Sequence, residues 1–158
     1  MATARLVLVN VPQPEEIVGE AFALVRSGGT VAFHEFDWVA SLCDPPCDEW
    51  SRAVELLESY SRANGIDLYV GRTLPRLLRE AGLIDVQINP LVHVYPPGHG
   101  RRSILVDFLE NLTDRMIAGG FVTHDELESL EQAIAARVAD PDTLVVFGLY
   151  FQAWGRSP

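Results

Sequence analysis

Basic residues are scarce in this chain, with 12 Lys and Arg against 22 Asp and Glu and a net charge of −10 over 158 residues. The few cations are scattered. A phosphate backbone needs a positive patch, so nucleic acid is excluded as a partner, and an anionic membrane surface is disfavoured for the same reason. Long apolar runs are absent too: the run Leu6-Val7-Leu8-Val9 is far too short to cross a bilayer, and Pro12 and Pro14 follow it at once. No signal-peptide cleavage pattern is evident, which leads to an expected cytoplasmic location. Cysteine is limited to Cys43 and Cys47, a single C-x3-C without a second pair. That pattern gives no zinc site and no disulfide framework, and the expected metal content is none. A chain of this length buries a core without such staples.

What is present is organised around residues 26–38. Arg26-Ser27-Gly28-Gly29 ends a helical pattern, and the paired glycines supply the left-handed angles that return a chain to a sheet. Thr30-Val31-Ala32-Phe33 is short, β-branched and apolar, as in a strand covered on both faces. It runs out into His34-Glu35-Phe36-Asp37-Trp38. In open α/β sheets ligands bind beyond the carboxyl ends of the strands, which nominates Glu35, Asp37 and Trp38. On a strand Glu35 and Asp37 point to one side, and His34 and Phe36 to the other.

The rest of the chain alternates strand and helix signals. Leu6–Val9 reads as a buried strand. Glu15 to Val25 reads as a helix opened by Pro14 and two acids, so residues 6–36 form a parallel strand-helix-strand unit. Ser41 to Asp48 is a loop in which Pro45-Pro46 forbids a helix. Helices are expected over Trp50–Ala63 and Thr73–Ala81. A strand over Asp85–Ile88 follows, with an extension broken by Pro90. Ser103–Ala118 is amphipathic, and Thr123-His124-Asp125-Glu126 matches a capping box that opens a further helix. Thr143–Trp154 is the last strand. No internal repeat or long linker appears, so residues 1–158 read as a single α/β domain.

Read in order, these pieces resemble the C-terminal half of a class I S-adenosylmethionine-dependent methyltransferase of the small-molecule, ubiquinone/menaquinone-biosynthesis-like type. The resemblance rests on five short motifs: residues 4–14 as the fourth strand and its connector, Arg26-Ser27-Gly28-Gly29-Thr30-Val31 as the turn into the fifth, Glu35-Phe36-Asp37-Trp38 as its acidic tip, Gly71-Arg72-Thr73-Leu74-Pro75 with Glu80-Ala81-Gly82-Leu83 leading to the sixth, and Ala153–Pro158 as the end of the last. It implies a partial Rossmann-like sheet with an antiparallel last strand, flanking helices and a missing N-terminal half. It also implies S-adenosylmethionine as cofactor, Asn10 as a cofactor contact, and Glu35, Asp37, Trp38 and Arg72 as substrate contacts. Arg72 has two readings, a clamp on a carboxylate or an ion pair with a surface acid. Complete members need roughly 220–270 residues, within the range of single α/β domains. The glycine-rich turn that follows their first strand has no counterpart here, because Gly28-Gly29 follows a helix and precedes a strand.

The expected activity is therefore that of a methyltransferase-family protein reduced to its substrate side and inactive alone. The alternative is a non-enzymatic small-molecule-binding or oligomerisation module on the same fold remnant. In either case an apolar edge at Leu6–Val9 would be left without its neighbour, a liability that proteins cover. The expected partners are a small molecule and a second copy, paired through that edge or by element swapping, or else a partner chain carrying the missing half.

Overall fold

The computed structural model describes the whole chain, Met1–Pro158. Its elements, in order, are β1 (Ala2–Arg5), α1 (Pro14–Ala23), β2 (Thr30–Asp37), β3 (Leu42–Asp44), α2 (Asp48–Ala63), α3 (Val70–Glu80), β4 (Ile84–Val94), α4 (Ile104–Ala118), α5 (His124–Ala139) and β5 (Leu144–Arg156), with single 3-10 turns at Leu8–Asn10, Trp38–Ala40 and Gly100–Ser103. Five strands hydrogen-bond in the order β1-β2-β5-β3, and β4 also pairs with β5. This is the mixed α/β sheet expected.

The chain divides into two compact units. The first holds Met1–Val39, Asn64–Val92 and Gly148–Pro158. In it β1 runs parallel to β2, with Thr3 opposite Ala32 and Arg5 opposite His34. The last strand runs antiparallel to β2, from Thr30 opposite Arg156 to Asp37 opposite Leu149. On the other side of β5, Asp85 reaches Arg156 and Asn89 reaches Gln152, so β4 is antiparallel to it as well. One face of this sheet is covered. Val31, Phe33 and Ala153 pack against Leu8, Val18 of α1, and Val70, Leu74, Leu77 and Leu78 of α3. The opposite face carries Thr3, Ala32, His34, Gln152 and Trp154, which line a groove of about 480 Å³.

Glycine decides the approach of α3 to β2. A Cβ on Gly71 would stand 2.8 Å from the Phe36 carbonyl oxygen and 3.0 Å from the Phe151 ring, so only glycine lets the helix start this close to the strand. Gly28 takes φ of 73°, as the helix-to-strand turn requires. Its N–H donates to Ser157 O at 3.0 Å, while Ser157 N–H donates to Gly29 O at 2.8 Å, tying the turn to the end of β5.

The second unit holds Ala40–Ala63 and His93–Phe147. Here α2, α4 and α5 pack on one another, burying Trp50, Leu56 and Leu57 of α2, Leu105, Leu109 and Met116 of α4, and Leu127, Leu130 and Ile134 of α5. Half of the expected capping box forms: Thr123 Oγ1 accepts from Glu126 N–H at 3.2 Å, whereas the Glu126 carboxylate accepts from Arg52 Nε at 2.9 Å. Leu42–Asp44, read from the sequence as loop, instead pairs with Leu144–Val146. Pro45-Pro46 forbids helix but not a short strand ahead of it.

Two strand assignments change. Leu6–Val9 is not a strand; the strand is Ala2–Arg5, and the apolar run turns into the 3-10 helix Leu8–Asn10. Leu6 adopts φ of 53°, which breaks the extended chain there, and Leu8 is buried through the turn rather than in the sheet. Pro90 does not break β4, which is continuous over Ile84–Val94. A strand with one neighbour tolerates a residue lacking an N–H.

Candidate functional site

The carboxyl ends of the parallel pair β1 and β2 meet the first turn of α3, all within the first unit. Leu6 N–H donates to His34 O at 2.9 Å, the last rung between the strands. The chain then bends, and three consecutive N–H groups converge on one side chain. Val7 and Leu8 donate to Glu35 Oε1 at 2.9 and 3.1 Å, and Val9 donates to Oε2 at 3.3 Å. These are the orphan donors of a 3-10 start, and a carboxylate satisfies them as it would at any helix N-terminus. Glu35 is fully buried. Burial pushes its carboxyl above the ordinary glutamate range, outweighing the three backbone donors that pull the other way.

Asp37, two residues on along the same strand face, is also fully buried. Arg72 Nε donates to Asp37 Oδ2 at 2.6 Å and Nη2 to Oδ1 at 2.7 Å, a bidentate fork. Val39 N–H donates to Asp37 Oδ1 at 3.0 Å, starting the turn Trp38–Ala40. The Arg72 guanidinium lies 4.9 Å from the centre of the Tyr69 ring, and its side chain is 48% exposed. Asp37 raises the Arg72 pKa further by accepting these bonds. Arg72 forms an ion pair, but its partner is the fully buried Asp37 rather than a surface acid.

Trp38 is buried, edge-on to Phe36 at 5.3 Å between ring centres, and its backbone N–H donates to Leu68 O at 3.1 Å. Asn10 is exposed, and its side-chain amide donates to Leu6 O at 2.8 Å, closing its own turn. His34 lies on the opposite sheet face, edge-on to Tyr150 at 5.5 Å, as the strand alternation requires.

The structure thus brings the five nominated residues to one end of the sheet, and it sorts them by access. Glu35, Asp37 and Trp38 are buried within the chain, so as they stand they shape the surface rather than touch a ligand. Arg72 and Asn10 carry the exposed polar atoms. Outside this site, Cys43 and Cys47 are free thiols, and burial holds the Cys43 thiol above its usual range. No three His, Cys, Asp or Glu side chains lie close enough to hold a metal ion.

Sequence reasoning missed Arg102. The residue is 5% exposed. Nε donates to Val138 O at 2.8 Å, Nη1 to Tyr95 O at 3.3 Å, and Nη2 to Asp140 O and Thr143 O at 3.1 and 2.8 Å. One side chain thereby fastens the end of α5 and the turn after it to Tyr95, ahead of α4. Arg101-Arg102 offers no sequence signal that one of the two is buried.

No protein-family model matches the chain. An uncharacterised 37.1 kDa protein encoded in transposon Tn4556 of Streptomyces fradiae is 30% identical over 118 residues, covering 73% of this chain. The chain spans about a third of that relative's length, 32%. Among solved structures, a methyltransferase from an antibiotic biosynthesis pathway of Anabaena variabilis is 13% identical with a TM-score of 0.51, over 96% of this chain and 64% of that one. A Bacillus halodurans methyltransferase is 17% identical with a TM-score of 0.49, over 99% of this chain and 68% of that one. The chain has the fold of the class I S-adenosylmethionine-dependent methyltransferases, in agreement with the strand order and the antiparallel β5.

Gly28-Gly29 is bonded to the end of β5 and leads into a strand. No glycine turn leads from a strand into a helix at β1, whose connector is closed by Glu35 and Asn10 instead.

Proposed function

We propose that this chain forms the acceptor side of an S-adenosylmethionine-dependent methyltransferase and relies on residues beyond these 158 for the cofactor. The observation that carries the reading is the built strand end: a turn pinned by Glu35 beside an arginine held by Asp37, at the place where open α/β sheets bind ligands. The half-exposed Arg72 guanidinium and the half-buried Tyr69 ring offer a small acceptor a cation and an aromatic wall. Asp37 and Glu35 are positioning residues, the first for Arg72 and the second for the turn that carries Asn10. Trp38 packs edge-on against Phe36.

Calorimetric titration of S-adenosylmethionine and S-adenosylhomocysteine into the purified chain tests the proposal. The expected result is no saturable heat at millimolar ligand. Saturable binding of one molecule per chain would overturn it, because a complete cofactor site would then exist without a glycine turn.

A further inference from the structure

At the end of the sheet away from β1 lies β4, which pairs with β5 and with no other strand. The register decides which of its groups turn outward. Leu6 N–H donates to His34 O, and the N–H and C=O groups of successive strand residues point to opposite sides. Even-numbered residues of β2 therefore bond to β1, and odd-numbered ones to β5. Phe33 stands opposite Ala153, so these two bond to each other and Gln152 turns to β4. Asn89 reaches Gln152 and Asp85 reaches Arg156, which directs the odd-numbered backbone of β4 to β5. Val86, Ile88, Pro90 and Val92 turn theirs to the free side. Pro90 fits there, because it has no N–H to leave unpaired.

The same four residues share one sheet face, opposite the one on which Asn89 and Asp85 meet Gln152 and Arg156. Val86 packs on the core, but Ile88 is 40% exposed and Val92 56%, and Pro90 between them is exposed. An apolar stripe thus coincides with a row of unpaired backbone groups. Proteins blunt such edges with charge, yet no residue from Val86 to Val92 is charged. Asp85, just ahead, is bonded to Arg156 at 2.7 Å, and its φ of 55° turns the chain and ends the edge.

In a chain of net charge −10, an uncharged edge offers nothing to a partner selected by charge. It is complementary to itself. Two copies laid antiparallel about Asn89 set Ile88 against the partner's Pro90, and Val86 against the partner's Val92. Each outward N–H, from Val86, Ile88 and Val92, then meets an outward carbonyl, and Pro90 is asked only to accept. On the other face Gln87 meets the partner's Leu91, and the two Asn89 amides meet on the axis, so no like charges oppose.

We infer that β4 is the interface of a two-fold homodimer whose sheets join edge to edge across Val86–Val92, with the axis at Asn89. None of these residues belongs to the acceptor site, so the calorimetric outcome above does not decide it.

Sedimentation velocity of the purified chain at rising concentration tests this. A monomer–dimer equilibrium is expected, with amide exchange at Val86, Ile88 and Val92 slowing as the dimer fills. Ile88→Lys and Val92→Lys are each expected to weaken dimerisation by about 30-fold or more. Both side chains are exposed, so the thermal midpoint of the dilute monomer should stay near that of the wild type. Asn89→Asp places two carboxylates on the axis and should weaken the dimer most at low salt, whereas Gln87→Asp, opposite Leu91, should weaken it less. A chain that stays monomeric at the highest attainable concentration would overturn the inference, as would a dimer indifferent to both lysine variants. A dimer lost instead on Thr3→Pro would overturn it in favour of the β1 edge. Equal weakening by Asn89→Asp and Gln87→Asp would overturn the axis at Asn89.

Discussion

Asp37 and Arg72, 35 residues apart in sequence, close a two-pronged ion pair in which the carboxylate is fully buried and the guanidinium is half exposed. The asymmetry fixes what each substitution does. Arg72→Met strands a buried charge whose remaining donor is Val39 N–H. A loss of about 2 kcal/mol is expected, between the values for exposed and fully buried pairs because water reaches Arg72. Asp37→Asn keeps an acceptor for Val39 and frees an arginine that water can solvate, so about 1 kcal/mol is expected. Urea denaturation of the two variants measures the difference, and equal losses would contradict the asymmetry.

Glu35 makes stability depend on pH in an unusual direction for a carboxylate. Its folded pKa lies above the ordinary value of 4.5 because burial outweighs the three backbone donors. Between that value and the raised one, the folded chain holds a proton that the unfolded chain has released. The contribution of Glu35 is therefore greatest below this window, falls as pH rises through it, and is constant above it. Glu35→Gln does not titrate, so the stability difference between wild type and variant should shrink as pH rises through the window. Thermal midpoints taken from pH 4 to 8, by differential scanning, check this; a difference that grows with pH would reverse the assignment. Glu35→Ala removes the acceptor of three N–H groups and is expected to cost about 3 kcal/mol, with faster amide exchange at Val7, Leu8 and Val9.

The same carboxylate explains where the sequence was legible and where it was not. The stretch from Gly28 to Trp38 could be read because its signals are local: a glycine turn, β-branched residues, then a change to acids at the strand end. Thr30–Asp37 is a strand, its odd-numbered residues share the covered side, and the five nominated residues gather at its end. Leu6–Val9 was misread because apolarity alone does not distinguish a sheet strand from a buried turn. What settles it is Glu35, 26 to 28 residues away, which takes the N–H groups a strand would have given to a neighbour. Leu42–Asp44 was missed for a related reason, since its pairing comes wholly from Leu144–Val146. Access was equally invisible: sequence places Asp37 and Arg72 near one site, but burial decides which of them meets solvent.

Gly148 is a close-approach position rather than a flexible one. A Cβ there would stand 2.5 Å from the Phe36 ring and 2.7 Å from the Asp37 carbonyl oxygen. The ring is held edge-on to both Trp38 and Tyr150, each 5.3 Å away, so it has little room to yield. Gly148→Ala is expected to destabilise by about 2 kcal/mol, in the range of overpacked cores. Gly19, whose added Cβ meets nothing within 4 Å, lies inside α1; Gly19→Ala is expected to stabilise by about 0.5–1 kcal/mol through helix propensity. Opposite signs in chemical denaturation are the required outcome.

Arg102 tests whether a buried cation can be held by backbone carbonyls alone. Four carbonyl oxygens accept its donors, and no carboxylate is bonded to it. Each carbonyl is a partial negative charge, and together they replace the water lost on burial. The fork geometry matters: Nε, Nη1 and Nη2 serve partners at Val138, Tyr95, Asp140 and Thr143, which a single ammonium group cannot reach at once. Arg102→Lys keeps the charge but, with three donors for four acceptors, strands at least one carbonyl, while Arg102→Met strands all four and removes the burden of the charge. Both are expected to lose stability, about 2 kcal/mol for Lys and about 3 kcal/mol for Met, since unsatisfied buried acceptors cost about 1–3 kcal/mol each before relaxation. The decisive readout is amide exchange at Thr143 and Asp140, whose backbone turn closes with an N–H···O bond of 3.2 Å. If Arg102→Lys matches wild type in both stability and exchange, the charge alone is sufficient and the fork is not what holds this turn.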